Sequence, residues 1–268
     1  MALDLFQNNN KFLMLALDQR GSFKRMAASD DSQVLISIKK KIINTLSHEF
    51  SGLLIDPDWG LPAYEKKDKP FLLCIEKSGY EETAGGRLTE LAYTVNQLKD
   101  LGASGVKLLV YFNPLAGNCQ HQIKISQRVL TDCQTCGLPL FLEIVTYNLQ
   151  DKLSKSDLIL KSLDLFLKNN IQPDVFKLEF PGSIRACQEI SAKLKNIPWV
   201  LLTAGKPFDV FKSELKTAAE NGAAGFLAGR AIWQQVFKYP ADKQTEFLKT
   251  TSLTRFQEIK NIMLAQPA

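Results

Sequence analysis

Short apolar runs alternate with amphipathic segments along the 268-residue chain. The runs have the length of strands, are rich in β-branched and aromatic residues and end near Gly, Pro or Asp. They predict eight strands at residues 13–18, 52–57, 70–76, 105–112, 139–145, 175–181, 198–205 and 222–230. Because these strands are almost continuously apolar, we expect a sheet that is covered on both faces.

Between the strands, apolar positions recur with helical spacing. This pattern predicts helices at 32–50, 87–101, 120–136, 154–169, 183–195 and 208–221, with a last helix at 243–263. The connection between the second and third strands is short and proline-rich and predicts no clear helix. Strands that alternate with helices pair in parallel through right-handed crossovers. The pattern therefore predicts an α/β fold, a single (β/α)8 TIM barrel with an additional C-terminal helix, and one domain over 1–268.

The alternative is an open doubly wound sheet. Such a sheet normally carries a glycine-rich G-x-G-x-x-G turn after its first strand. Here the turn reads Asp18-Gln19-Arg20-Gly21-Ser22, which does not fit. No linker, low-complexity tract or internal repeat divides the chain, so the barrel is favoured.

Composition excludes several classes of function. Hydrophobic residues make up 45% and charged residues 23% of the chain, and no apolar run approaches the roughly 20 residues that span a bilayer. The N-terminus shows no secretory signal, so we expect a cytoplasmic protein with no membrane partner. The net charge is +5, but the basic residues are distributed along the chain and interleaved with acidic ones. The run Lys39-Lys40-Lys41 is typical of a solvated helix face. We expect an anionic small molecule rather than nucleic acid.

Metal and redox chemistry are disfavoured by the residue counts. With only His48 and His121, a three-histidine zinc site is excluded. The five cysteines are interpreted as reduced thiols, and the C-x-x-C of Cys133 and Cys136 lacks a second pair and is interpreted as coincidence. We expect no metal and no cofactor.

Charged residues in and after the predicted strands carry the candidate chemistry. In a barrel the active site lies at the C-terminal ends of the strands, and the interior is otherwise apolar. The exceptions here are Asp18, Lys107, Glu143, Lys177, Glu179 and Arg230. We expect several of them to meet at one end of the barrel.

Lys177 lies between Phe176 and Leu178, so the period of two places it on the opposite face of its strand. A free amine there condenses with a ketone to a Schiff base, and Glu143 on the neighbouring strand would supply the proton transfers. A purely structural Lys177–Glu143 ion pair fits the spacing equally well. Lys107 has the same two interpretations, and Asp18 either contacts a substrate hydroxyl, accepts a proton or caps a turn.

The last two strands end in Thr203-Ala204-Gly205 and Ala228-Gly229-Arg230. This part of a barrel often binds phosphate, because glycines let backbone N–H groups approach the oxygens and an arginine adds a bidentate contact. Trp59 and Trp233 are interpreted as packing residues. The two strand ends predict a phosphate site.

Seven segments together resemble the tagatose-1,6-bisphosphate aldolase family, with its sulfofructose-phosphate aldolase relatives. The resemblance extends from Phe12 to Trp233 in register with all eight strands. The segments are LALDQRG at 15–21, LIDPDWGLP at 54–62, EKSGY at 76–80, VKLLVY at 106–111, FLE at 141–143, FKLEFP at 176–181 and GFLAGRAIW at 225–233.

The resemblance implies a class I, metal-independent aldolase on a (β/α)8 barrel. It implies that Lys177 forms the Schiff base and that Glu143 is the general acid and base. Substrate hydroxyls and neighbouring groups would be held by Asp18, Gln19 and Lys107, and phosphate by Thr203, Gly205, Gly229 and Arg230. The family usually has Ser where Thr203 stands, and Lys206 adds a cation that would hold a second anion or lie on the surface.

The resulting functional hypothesis is a Schiff-base aldolase acting on a phosphorylated ketohexose similar to tagatose 1,6-bisphosphate. Its products would be dihydroxyacetone phosphate and a three-carbon aldehyde such as glyceraldehyde 3-phosphate. The alternatives are a sulfofructose-1-phosphate aldolase, another Schiff-base sugar-phosphate lyase and a non-enzymatic phosphosugar-binding regulator. The expected partner is a small phosphorylated ketose, and the sequence leaves a homo-oligomer open.

Overall fold

Eight parallel strands close into a barrel in the computed structural model, which describes residues 3–149 and 153–266. Strand β1 pairs with β2 on one side and with β8 on the other, which completes the ring. The TIM-barrel prediction is therefore confirmed. The strands are β1 Lys11–Leu17, β2 Gly52–Ile55, β3 Phe71–Cys74, β4 Gly105–Phe112, β5 Leu140–Thr146, β6 Val175–Leu178, β7 Trp199–Leu202 and β8 Gly225–Ala228.

Helices surround the barrel and connect the strands. They are α1 Gly21–Ala27, α2 Ser32–Leu46, α3 Gly60–Ala63, α4 Val95–Asp100, α5 Cys119–Cys136, α6 Lys155–Lys168, α7 Ile184–Leu194, α8 Phe208–Ala219, α9 Arg230–Trp233, α10 Gln244–Phe247 and α11 Leu253–Leu264. The π-helical turn Leu248–Ser252 joins α10 to α11, so the predicted C-terminal helix is present and packs outside the ring against α8 and α2.

Capping residues fix where several helices begin. The Asp31 side chain accepts a hydrogen bond from the Gln33 N–H (2.8 Å), and Ser183 caps α7 through the Ala186 N–H. Such caps satisfy backbone donors that the helix itself leaves open. The predicted helix at 87–101 is wrong in its first half, because Thr94 and Gln97 form a capping box that starts α4 at Val95. The preceding residues form the hairpin Glu81–Thr83 with Gly86–Leu88.

The solvated-face interpretation of Lys39 is also wrong. Its side chain is wholly buried and forms an ion pair with Asp56, which is buried as well. The Lys39 ammonium also donates to the carbonyl oxygens of Leu17 (2.7 Å) and Gln19 (3.1 Å). Because the Lys39 ammonium contacts the end of β1 and Asp56 directly after β2, this face of α2 points inward, and the buried lysine links both strand ends to the helix.

The apolar core has an outer and an inner part. The outer part lies between the strands and the helices and includes Trp233, which packs as predicted and donates its indole N–H to the Ala16 carbonyl (3.1 Å). The inner part fills the N-terminal end of the barrel, where Phe6, Phe12 and Phe141 meet edge-on with ring centroids 5.4 and 5.9 Å apart. This aromatic plug leaves the C-terminal end for chemistry.

In the parts of the chain that the structure describes, no helix combines the length and the apolar character needed to cross a membrane.

Candidate active site

A cavity of about 480 Å³ opens at the C-terminal ends of the strands. Its walls bring together eight of the nine predicted site residues, and the ninth, Gly205, lies directly beneath Arg230. The eight are Asp18, Gln19, Lys107, Glu143, Lys177, Thr203, Gly229 and Arg230.

Lys177 and Glu143 face each other across two neighbouring strands. They are register partners in the β5–β6 pair, so their side chains leave the same face of the sheet at the same height. The Lys177 Nζ lies 2.9 Å from the Glu143 Oε2, and both side chains are buried. An amine and a carboxylate at this distance can exchange a proton directly.

Lys107 is surrounded by three carboxylates. Its Nζ lies 2.9 Å from Asp18, 2.6 Å from Glu76 and 3.0 Å from Glu143. Burial alone would lower the pKa of Lys107, but these anions, with Asp18 first, raise it well above its usual value. Lys107 is therefore a fixed cation in this cavity.

Asp18 is one of the anions that pair with Lys107. Burial would raise its pKa, yet the Lys107 and Lys177 ammonium groups outweigh burial and hold the pKa of Asp18 well below its usual range. A carboxylate with so low a pKa accepts hydrogen bonds but is a poor proton acceptor. Of the predicted roles, its charge therefore fits contact with a substrate hydroxyl.

The sequence reasoning missed Glu76 as a site residue. Its Oε1 accepts from Lys107 (2.6 Å) and its Oε2 from the Leu109 N–H (3.1 Å), so both oxygens are held. Arg20 donates to its backbone carbonyl. The available signal was its position as the last residue of a predicted strand, which is also the position of Asp18. Three further basic side chains missed by the sequence reasoning line the same wall: Arg20, Arg25 and Lys77.

Arg230 lies at the opposite side of the cavity, at the start of α9. Within the described residues its guanidinium has no carboxylate partner, so its donors are open to the cavity. Gly205 has φ +73°, and a Cβ atom there would lie 2.9 Å from the Arg230 Cζ. Glycine thus allows the guanidinium to lie flat on the β7–α8 turn. In this position it can bind a carboxylate or a phosphate through two N–H groups.

Gln19 and Gly229 complete this side. A Cβ atom on Gly229 would lie 3.2 Å from the Gln19 Nε2, so glycine lets the carboxamide approach the backbone. The Gln19 Oε1 is buried without a hydrogen-bond partner among the described residues. Buried polar atoms are normally satisfied, which points to a ligand group at this position.

Two charged residues that the sequence raised are engaged by protein groups. Lys206 forms an ion pair with Glu214 of α8 at 2.5 Å and does not line the cavity, so its surface interpretation is favoured. Glu179 lines the cavity, but it accepts hydrogen bonds from the N–H (2.8 Å) and hydroxyl (2.9 Å) of Thr146 and pairs with Lys155 (2.6 Å).

Asp18, Cys74 and Glu76 are the one group in the described residues with metal-ligand spacing, since their ligand atoms lie within 4.8 Å of one another. The donor set does not suit a cation. The Lys107 ammonium already contacts both carboxylates, and burial raises the pKa of the Cys74 thiol well above its usual value. A protonated thiol is a poor metal ligand.

Comparison with protein families matches residues 12–235 to a family described as DeoC/LacD family aldolase. Among curated proteins, the tagatose 1,6-diphosphate aldolases of Staphylococcus aureus strains MSSA476 and MW2 are each 29% identical to this chain over 307 residues. These alignments cover 98% of this chain and 94% of each relative.

Solved structures share the fold at lower identity. An archaeal fructose 1,6-bisphosphate aldolase is 16% identical with a TM-score of 0.68, covering 95% of this chain and 97% of that one. A fructose-bisphosphate aldolase from Slackia heliotrinireducens is 13% identical with a TM-score of 0.70, covering 97% and 88%. At these identities the likeness establishes the barrel architecture.

Proposed function

Because the chain belongs to the DeoC/LacD aldolase family and is an aldehyde-lyase, we propose that it is a class I aldolase in which Lys177 forms a Schiff base with a phosphorylated ketohexose. The proposed products are dihydroxyacetone phosphate and a three-carbon aldehyde. The similar aldolases named for tagatose 1,6-diphosphate support glyceraldehyde 3-phosphate as that aldehyde.

The observation that carries the proposal is the contrast between the two buried lysines. Lys107 contacts three carboxylates and is held as a cation, whereas Lys177 contacts one carboxylate among the described residues, that of Glu143. Only an uncharged amine attacks a carbonyl, and the Glu143 carboxylate is placed to take the proton of the Lys177 ammonium. Lys107 is therefore the electrostatic partner, and Lys177 is the nucleophile.

In the proposed reaction, the Lys177 amine adds to the C2 carbonyl and gives a carbinolamine. Glu143, 2.9 Å from the same nitrogen, donates a proton to the C2 hydroxyl, which leaves as water and gives the iminium ion. The Glu143 carboxylate left by this step then removes the C4 hydroxyl proton, and the C3–C4 bond breaks. The bonding electrons form the enamine and the aldehyde departs. Glu143 then gives its proton to C3, and water hydrolyses the imine to dihydroxyacetone phosphate and the free Lys177 amine.

Binding would use the two sides of the cavity differently. The ketose phosphate would lie at Arg230, with Thr203, Gly205 and Gly229 providing the surrounding turn. Gln19, Asp18 and Lys107 would hold hydroxyl groups and oxygens of the carbon chain. Because Asp18 stays ionised and Lys107 stays protonated, Asp18 would act as a hydrogen-bond acceptor and Lys107 as a donor throughout the reaction.

The experiment that tests the proposal is reductive trapping. The protein is incubated with borohydride and each of a panel of ketose phosphates, including tagatose 1,6-bisphosphate, fructose 1,6-bisphosphate and sulfofructose 1-phosphate, in the presence of a metal chelator. We expect cleavage and a stable adduct that peptide mass spectrometry assigns to Lys177. Lys177→Met should abolish both, with an unchanged circular dichroism spectrum.

A matched control is Lys193→Met, since Lys193 is a surface lysine paired with Asp164 (2.6 Å). This variant should cleave and trap like the wild type. An adduct on another lysine, or cleavage that needs a metal ion, would reject the mechanism. Tight phosphosugar binding without product over hours would instead support the binding-protein alternative.

A further inference from the structure

The Tyr111 side chain lines the cavity beside the proposed catalytic groups and has no part in the mechanism above. Within the described residues its hydroxyl has no hydrogen-bond partner, although the backbone is held by the Thr89 hydroxyl and the Gln122 carboxamide. Burial raises the pKa of Tyr111, and the Glu143 carboxylate raises it further, so the group stays a phenol. It is an unused donor and acceptor on the cavity wall.

The ring of Tyr111 is held in place by neighbouring aromatic and cationic groups. Tyr80 meets it edge-on with a centroid distance of 4.6 Å. The Arg87 guanidinium lies over Tyr80 at 4.4 Å and over Tyr147 at 4.8 Å. Cation–π contacts of this length are stabilising. Together with the Tyr80–Tyr111 ring contact, they link Tyr111 on β4 to the segments that follow β3 and β5. We call Tyr80, Arg87, Tyr111 and Tyr147 the arginine–tyrosine cluster.

The hairpin fixes the arginine of this cluster. The Arg87 N–H donates to the Tyr147 hydroxyl (3.0 Å), and the Arg87 carbonyl accepts from Asn118 (2.8 Å). Gly86 has φ +117°, and a Cβ atom there would collide with the Tyr147 hydroxyl. The hairpin is therefore built to bring Arg87 between two tyrosine rings.

We propose that the Tyr111 hydroxyl binds an oxygen of the aldehyde half of the substrate, and that Arg87 is a positioning residue for it. The inference rests on the proposed function. Arg230 lies after β8, Lys177 on β6, Glu143 on β5 and Tyr111 on β4, so they follow one another around the wall. A ketose with its phosphate at Arg230 and C2 at Lys177 extends its remaining carbons toward Tyr111.

The test uses condensation, with dihydroxyacetone phosphate and glyceraldehyde 3-phosphate as the two substrates. Tyr111→Phe should lower kcat/KM for the aldehyde about tenfold, the cost of one lost hydrogen bond of about 1–1.5 kcal/mol. It should leave unchanged the trapping of dihydroxyacetone phosphate by borohydride and the exchange of its C3 proton. Tyr239→Phe is the matched control, because Tyr239 is exposed and stacked on Phe247, and it should behave like the wild type.

A second variant tests the positioning role. Arg87→Met should lower the aldehyde kcat/KM in the same direction by a smaller factor, and the double variant with Tyr111→Phe should be no slower than Tyr111→Phe alone. If Arg87→Met fails to fold, Arg87→Lys is used instead, because it retains the charge without the planar contact. It should also lower the aldehyde kcat/KM by a smaller factor than Tyr111→Phe.

Three results would overturn the inference. They are an unchanged aldehyde kcat/KM in Tyr111→Phe, an equal loss in dihydroxyacetone phosphate exchange, and additive losses in the double variant. Absence of any borohydride adduct in the wild type would instead reject the proposed function, so the two failures are distinguishable.

Discussion

Replacing Lys39 by methionine removes one partner of an ion pair that has no access to solvent. Both side chains of the Lys39–Asp56 pair are 0% exposed. Besides Asp56, the ammonium contacts the Leu17 and Gln19 carbonyls and lies 4.9 Å from the Phe23 ring. Methionine has a similar length and no charge, so the substitution leaves Asp56 as an uncompensated buried carboxylate.

Removing one partner of a buried ion pair typically costs about 3–5 kcal/mol of unfolding free energy. Asp56 retains hydrogen bonds from the Trp59 N–H (2.8 Å) and the Gly60 N–H (3.2 Å), which stabilise its charge. We therefore expect the lower end of the range, about 3 kcal/mol. For a chain of this size the loss corresponds to a fall in Tm of roughly 6–12 °C.

Urea unfolding monitored by circular dichroism measures this difference. Lys40→Met is the matched control on the same helix, since Lys40 pairs with Glu65 on the surface and its loss should cost about 0–1 kcal/mol. The double variant Lys39→Met with Asp56→Asn should recover part of the stability, because it leaves no buried charge and the asparagine oxygen can still accept the Trp59 N–H. A difference below about 1 kcal/mol between Lys39→Met and Lys40→Met would refute the reasoning.

Three further changes have defined outcomes. Gly205→Ala should raise KM for phosphorylated ketoses roughly tenfold or more and leave unphosphorylated dihydroxyacetone unaffected in steady-state assays, because its Cβ displaces Arg230 from a charge-assisted contact. Glu143→Gln should lower kcat about 10²–10⁴-fold while borohydride trapping stays detectable, and an unchanged kcat would remove Glu143 from proton transfer. The lowered pKa of Asp18 stabilises the fold above its unfolded pKa of about 4, and this stabilisation is lost as pH falls below that value toward the folded pKa. In acid unfolding, Asp18→Asn should therefore show a weaker dependence on pH than the wild type, and identical curves would contradict the assignment.

The strand pattern was sufficient to predict the barrel, because all eight strands are apolar runs bounded by turn residues. The first half of the helix at 87–101 was predicted incorrectly. Its apolar spacing suits a helix, but Gly86 and the Thr94 capping box determine a hairpin and a later helix start. Lys39 was misassigned for a different reason. Its burial depends on which face of α2 packs on the strands, and three consecutive lysines give no indication of that face.

Within the cavity, period-two alternation correctly placed Lys177 on the face opposite Phe176 and Leu178, toward the interior of the barrel. The roles given to Lys177 and Glu143 remain predictions. Glu76 was missed because its partner Lys107 is 31 residues away, and their contact depends on the register of β3 against β4. The sequence drew no attention to Tyr111, because its hydroxyl stands out only by facing the cavity without a partner among the described residues, which depends on the three-dimensional structure.

The aromatic plug of Phe6, Phe12 and Phe141 has a kinetic consequence. It fills the N-terminal end of the barrel, so the cavity exchanges molecules with solvent through the C-terminal opening. In the proposed reaction the ketose-derived half stays covalently attached to Lys177 after the carbon–carbon bond breaks, while the aldehyde is free. The aldehyde must then leave first through the same opening by which substrate enters. Release of the two products would be ordered, and dihydroxyacetone phosphate would inhibit competitively with the ketose.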